Sequence, residues 1–297
     1  AVETAFCAHY DGIGSALAQW ITAQEPQERQ TGLALTSLEY ENLMTALKLA
    51  LANLGPFWGT YLPLADYLEV GQDNQRGIQL EEMVINQQTS YSQDKMTGEV
   101  GFHFGSVLDS LANRKLSLKQ FSEAEIIYKR GLEIAEGLTD FDKSFRNKLI
   151  ASTYHQLGSV AQEQRQWETA VAHYEKALAL KIEFNDRYSQ ASTYHQLGRV
   201  AQELRQWETA VAHYEQALAI KIEFNDRYSQ ASTYHNLGAV AQAQRQWETA
   251  VAHYEKALAI YVEFNDRYEQ AGTYHQLGMV AQAQRQWETA VAHYEKA

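Results

Sequence analysis

One feature limits what this chain can become more than any other: a block of 40 residues recurs almost unchanged. The segment ASTYHQLGSVAQEQRQWETAVAHYEKALALKIEFNDRYSQ at 151–190 returns at 191–230 and 231–270, and a fourth copy runs over 271–297. A repeat of this length is one supersecondary unit that cannot bury its own apolar face, so neighbouring copies must stack to make a continuous core.

Within one copy, Tyr154, Leu157, Val160 and Ala161 recur at helical spacing, and Trp167, Ala170, Val171, Tyr174, Ala177 and Leu178 do so again. Each copy therefore codes for two amphipathic helices, A and B. The break between them falls at Glu163 to Gln166, and the break between copies at Asn185 and Asp186, residue types that cap a following helix. For the second copy this places helix A near 187–203 and helix B near 206–224. Gly158, Gly198, Gly238 and Gly278 lie inside helix A, where glycine costs about 1 kcal/mol against alanine. Close approach of helix B to helix A is the reason expected for that cost.

Composition agrees. Hydrophobic residues make up 45% of the 297, enough for a core, and no proline follows Pro63, so long helices are permitted from Leu64 onward. The net charge of −12 is spread as 12 basic and 20 acidic side chains in residues 1–150 and 13 and 17 in 151–297, so neither half suits nucleic-acid binding. A single cysteine, Cys7, allows no intrachain disulfide, and no apolar run approaches a membrane span. A cytoplasmic location is expected, with no membrane partner and no nucleic-acid partner. The missing initial Met is read as trimming.

The ordered set Tyr154, Leu157, Gly158, Trp167, Ala170, Tyr174, Ala177 and Leu178 resembles the tetratricopeptide repeat. The resemblance implies an all-α fold, a right-handed α-solenoid of antiparallel helix pairs. Two departures stand out, a 40-residue instead of a 34-residue period and Ile182–Glu183 where the family places proline. Both imply longer helices, similar to those of kinesin light chains. Upstream, Leu111, Ala112, Phe121, Ala124, Tyr128, Gly131 and Leu132 repeat the pattern loosely, and 57–85 reads as another degenerate pair. The polar stretch at 139–148 is expected to lengthen the connection into the regular copies. The expected organisation is a helical linker at 1–55, degenerate repeat-like pairs at 56–150, and the near-identical copies at 151–297.

Residues 1–55 hold two helical patterns separated by polar residues from Thr22 to Thr31, the second ending in Leu38, Glu39, Glu41, Asn42, Leu43, Ala46 and Leu47. This order resembles the linker between nucleotide-binding core and repeat sensor in multidomain signal-transduction ATPases of the STAND type. The resemblance implies a ligand-sensing arm. No Gly-x-x-x-x-Gly-Lys loop occurs, so the phosphate cradle of such an ATPase is not in these residues. The last copy breaks off within helix B without a polar cap, which is read as truncation and as a possible oligomerisation face.

Catalytic and metal chemistry find little support. Eight of the ten histidines recur in register, and equivalent positions of stacked repeats stand about 10 Å apart, too far to share one ion. Cys7 and His9 point apart on a helix. Asp140, Asp142 and Ser144 imitate a calcium loop, but Phe145 and Ala151 occupy its glycine and glutamate positions. The ladder Trp167, Trp207, Trp247 and Trp287 reads as core packing. No enzyme, metal or cofactor is expected.

What remains is recognition. In the family helix A lines the concave face, and the matching positions are Ser152, His155, Ser159, Gln162, Glu163, His195, Arg199, Gln202, Glu203, His235, Gln242, His275, Met279 and Gln282. Ser159 becomes Arg199, Ala239 and Met279 in later copies, and Glu163 becomes Glu203, Ala243 and Ala283; four residues apart, these positions share one helix face. Such changes suit differentiation for a ligand and equally suit drift at exposed sites. The glutamine ladder suits hydrogen bonding to an extended peptide or a protein surface. The expected function is a protein- or peptide-binding sensor arm, with a free-standing scaffold as the alternative.

Overall fold

The computed structural model describes residues 2–297, and among them every element is helical. The chain divides into two compact units, one ending at Thr153 and the other running from Tyr154.

In the first unit, α1 (Val2–Ile21) and α2 (Pro26–Ala52) pack on each other and on α3 (Trp58–Val70). Helix α2 starts earlier than the polar stretch suggested, because Pro26 at its first position is pre-organised for a helix and lacks only an N–H that would go unpaired there. The α1–α3 crossing is very close: a Cβ on Gly14 would stand 2.1 Å from the Gly59 carbonyl oxygen. Then follow α4 (Asn74–Ile85), a 3₁₀ turn at Gln88–Ser90, the short α5 (Gln93–Met96), α6 (Glu99–Ser117) and α7 (Phe121–Gly137). Leu43, Leu47, Phe57, Leu64, Val84 and Phe104 are wholly buried in a single core. Across α4 and α6, Arg114 Nε donates to Glu81 at 2.8 Å in a buried ion pair, and the guanidinium lies so close over Gly77 that a Cβ there would stand 2.6 Å from its Cζ.

Helix α8 (Lys143–Glu163) corrects one expectation. Most of the polar 139–148 stretch is helix, not an extended connection, since Asp142 accepts from the Phe145 N–H and caps it.

The second unit then alternates B and A helices: α9 (Trp167–Glu183), α10 (Arg187–Glu203), α11 (Trp207–Glu223), α12 (Arg227–Ala243), α13 (Trp247–Glu263), α14 (Arg267–Ala283) and α15 (Trp287–Tyr294). Each A helix packs on the B helix that follows and on the one before, an α-solenoid arrangement. The caps fall where the sequence places them, with Asp186, Asp226 and Asp266 accepting from the N–H three residues on. Each A helix ends with an arginine in the left-handed region, Arg165, Arg205, Arg245 and Arg285, and each complete B helix with an asparagine, Asn185, Asn225 and Asn265. Closing bonds such as Gln206 N–H to the Ala201 carbonyl at 2.8 Å satisfy carbonyls that the helix end would otherwise leave open.

The glycine of each A helix has a more specific cause than helix–helix approach. A tyrosine ring of the following B helix lies flat against it: a Cβ on Gly198 would stand 2.7 Å from Tyr214 Cδ1, and one on Gly158 2.6 Å from Tyr174 Cδ1. Tyr174, Tyr214 and Tyr254 are among the largest wholly buried side chains of the chain.

Candidate functional site

The face of the A helices in the second unit is set by that tyrosine. Its hydroxyl must find a partner when buried, and it donates to the glutamine four residues beyond the glycine: Tyr174 to Gln162 at 3.1 Å, Tyr214 to Gln202 at 2.9 Å, Tyr254 to Gln242 at 2.7 Å and Tyr294 to Gln282 at 2.8 Å. The glutamine ladder therefore exists, but each Oε1 is already committed to the array. What it can still offer a partner is its Nε2 donor and the second lone pair of Oε1.

The histidines do not stand free on this face either. His155 Nδ1 lies 3.2 Å from Thr193 Oγ1, His195 Nδ1 3.3 Å from Thr233 Oγ1 and His235 Nδ1 3.2 Å from Thr273 Oγ1, so each half-buried ring bridges to the next copy. At His195 the tautomer follows from the bonds. Asn236 donates to Nε2 at 3.2 Å, which leaves the proton on Nδ1 for Thr233. Burial, with the neighbouring lysine as a second cause, holds His155 down at about 4 and His195 at about 3, so both rings are neutral. His275 is exposed.

The threonine is shared with a residue that sequence reasoning missed. Lys221, 7% exposed, donates to Thr233 Oγ1 at 2.7 Å and to the Ser229 carbonyl at 3.0 Å; Lys181, 6% exposed, does the same with Thr193 at 2.9 Å and Ser189 at 3.1 Å. Desolvation pulls each lysine down to about 8, against a smaller upward pull from Asp226 or Asp186. The signal was a lysine in the last turn of a B helix at the register of apolar residues, and Tyr261 in its place in the third copy. These residues form the joints of the array.

Of the other expected site residues, Ser152, Glu163, Glu203, Arg199 and Met279 are exposed. Arg199 donates to Gln196 at 3.1 Å, and Ser159 Oγ lies 3.1 Å from the Tyr174 hydroxyl. The two variable positions converge on one feature. Ala239, Ala243, Met279 and Ala283 together line a cleft of about 350 Å³ between α12 and α14, floored by Trp247 and Tyr254 and edged by Gln242 and Gln276. No charged side chain lines it. The tryptophan ladder is thus only partly core: Trp167, Trp207 and Trp247 pack on the clusters around Leu197, Leu237 and Leu277, Trp247 also faces the cleft, and Trp287, expected in the core, is 60% exposed.

Residues 149–223 and 229–297 match the tetratricopeptide repeat model. The second unit is built of tetratricopeptide repeats. No curated protein matches the chain. Among solved structures, apo RapI superposes with a TM-score of 0.68 at 10% identity over 96% of this chain and 95% of that one. BtubC (BKLC) from P. vanneervenii gives 0.61 at 21% identity over 76% and 87%. The nearly identical TPR-like repeats of a kinesin-light-chain candidate from Podosopora anserina give 0.53 at 23% over 64% and 90%. At these identities the likeness is one of fold. No group of three or more His, Cys, Asp or Glu among the described residues is placed to hold a metal, and no described helix is long and apolar enough to cross a membrane.

Proposed function

We propose that this chain is a binding array with no catalytic role, which takes an extended peptide or protein segment along the A-helix face of its second unit. One bulky apolar side chain of the partner sits between Trp247 and Met279. The observation that carries this reading is the convergence of divergence. In copies kept nearly identical elsewhere, the two variable positions supply four of the residues around a single uncharged cleft. Replacing glutamate by Ala243 and Ala283 leaves the indole open to one side chain, and the Nε2 of Gln242 remains as a donor for a backbone carbonyl. Toward the second copy the face turns polar with Arg199 and Glu203, which gives the groove a direction.

Selection of peptides from a random display library on the whole chain tests this. Winning peptides are expected to share one large apolar residue and to lose about tenfold or more in affinity on Ala243→Glu, which returns the side chain of the first two copies. Peptides held equally by Ala243→Glu and by the parent would remove the cleft from the account.

The switching role, as the ligand-sensing arm of a signalling ATPase, is supported only by the resemblance of residues 1–55. It predicts a Gly-x-x-x-x-Gly-Lys loop upstream in the same reading frame. A reading frame that opens just before residue 1 would leave the scaffold reading in its place.

A further inference from the structure

In the first unit the pair α6–α7 keeps the register of the regular copies. Lys119, with φ 60°, and Phe121, which opens α7, stand as Arg165, with φ 58°, and Trp167 stand at α9, and both B helices run 17 residues. Leu111, Ala124 and Tyr128 are buried as Leu157, Ala170 and Tyr174 are. In α8, Leu149 and Thr153 match Ser189 and Thr193, and the Thr153 hydroxyl donates to the Leu149 carbonyl at 3.0 Å as Thr193 does to Ser189 at 3.5 Å. Four substitutions gather at one place. Ala135 replaces the buried Lys181, Asp109 replaces His155, and Gly105 and Gly131 replace the buried Ala151 and Ala177. These four residues, with Leu149 and Thr153, line a cavity of about 190 Å³ between α6, α7 and α8. Neither glycine is demanded by packing. A Cβ at Gly105 would stand 3.6 Å from Ile134 and one at Gly131 3.9 Å from Leu108, ordinary contacts, against 2.6 Å at Gly158. Glycine is unfavourable inside a helix, and what it leaves here is room.

We propose that this cavity binds a small primary alkylamine, whose chain takes the place of the lysine stem and whose ammonium meets the Thr153 hydroxyl, the Leu149 carbonyl and Asp109. Two properties select that ligand. The acceptors that hold Lys181, a threonine hydroxyl and the carbonyl four residues before it, recur here as Thr153 and Leu149, while the neutral histidine beside them gives way to a carboxylate. That carboxylate supplies the counter-charge that the buried lysines lack, and it disfavours an anionic occupant. Asp109 accepts from the Asn113 amide at 3.1 Å, and Asn113 accepts from the Tyr128 hydroxyl at 2.6 Å, so the carboxylate is held in place; among the described residues no cation pairs with it. Desolvation raises its carboxyl against a smaller downward pull from Asn113, and a cation delivered there favours the charged form. The second property is the remaining wall. Ile127, Ile134 and Leu138 are apolar and suit methylene groups. Asp109 is exposed, and with Ser106 it also borders a polar depression, which gives the cavity an entrance; Arg114 in that depression is taken by Glu81 at 2.8 Å.

The probe is n-butylammonium chloride, titrated into the whole chain at neutral pH and fixed ionic strength and followed by amide NMR, with butan-1-ol and sodium butyrate run beside it. Saturable shifts at Gly105, Gly131 and Thr153 are expected with the amine, and binding weaker by about tenfold or more with the alcohol and the anion. Ala135→Lys gives this joint the side chain of the next two and is expected to abolish amine binding. Asp109→Asn should weaken it about tenfold. Gly131→Ala guards against a folding defect in the lysine variant, because its added methyl group meets nothing nearer than 3.9 Å yet narrows the cavity, and it too should weaken binding. No saturation by the amine, equal binding of butan-1-ol, or an affinity unchanged by both Asp109→Asn and Gly131→Ala would each overturn the inference.

Discussion

The joints between copies are not equivalent. In the first two, a buried lysine, a threonine and a neutral histidine share one hydroxyl: Lys181 with Thr193 and His155, Lys221 with Thr233 and His195. In the third, Tyr261 stands where the lysine was, 3% exposed, and Thr273 keeps only His235 and the Glu269 carbonyl. A hydroxyl with one donor hydrogen and two acceptor sites is saturated at the first two joints and under-used at the third. The same fold thus accepts a charged or an uncharged plug at one position. What the two arrangements share is the threonine that receives the histidine, so the threonine is the part to test first.

Removing that hydroxyl should separate the two kinds of joint most widely. Thr233→Val leaves Lys221 and the His195 Nδ1–H buried beside a methyl group, and a cost of about 3 kcal/mol is expected from a buried charge that has lost a partner. Thr273→Val deprives only a neutral ring, and about 1 kcal/mol is expected there. Denaturant unfolding followed together with amide exchange is the measurement, since repeat arrays open locally and one midpoint does not describe them. Equal losses at the two threonines would mean that the lysine draws nothing from the joint.

The pH dependence is expected to be of similar size at each histidine. A histidine held down at about 4 in the folded chain binds its proton less readily than in the unfolded one, so folding is favoured above the ordinary histidine range and loses ground as pH falls from about 6.5 toward 4. His155 and His195 should each contribute on the order of 3 kcal/mol of that loss. The lysines add a second limb of the same sign at higher pH. Held at about 8, Lys181 and Lys221 shed their protons in the folded array before the unfolded chain does, so stability should climb from about pH 8 toward 10. Above that the buried tyrosines reverse the slope, because Tyr174 is pushed up to about 12 and an unfolded tyrosine ionises near 10. Exchange rates at the third joint, which has no lysine, should lack the climb between 8 and 10.

Much of this was legible beforehand and some was not, for definable reasons. The period announced the helix pairs, and Asp186 and Asp226 announced their starts, because capping is a local matter read from a few adjacent residues. The glycines at 158, 198, 238 and 278 signalled tight packing but not its agent, since a tyrosine one helix away is invisible to local patterning. The same limit explains the histidines. His155, His195 and His235 were expected on a binding face by their position in helix A, and only the stacking of the next copy shows Thr193, Thr233 and Thr273 within reach. The variable positions were found by comparing copies, but that Ala239, Ala243, Met279 and Ala283 border one cleft is a fact of three dimensions. The polar 139–148 stretch misled because a polar run reads as a loop unless its cap, here Asp142, is recognised.

The smallest expected effect sharpens the comparison most. If the lysine were a source of stability, Lys221→Met would cost as much as Thr233→Val. Desolvation argues otherwise: the ammonium is held down at about 8 because burial disfavours its charge, and its two hydrogen bonds only partly offset that. A methionine of similar length fills the same space, removes the buried charge and frees Thr233 to serve His195 alone, as Thr273 serves His235 at the third joint. Lys221→Met is therefore expected to change stability by less than about 1 kcal/mol at neutral pH and to reduce the climb between pH 8 and 10. Combined with Thr233→Val, it should recover most of what the threonine change costs, because no charge is then left without a partner. A double variant as unstable as the sum of the two single ones would show that threonine and lysine act separately. The difference between the joints would then lie in packing around Tyr261, not in the buried charge.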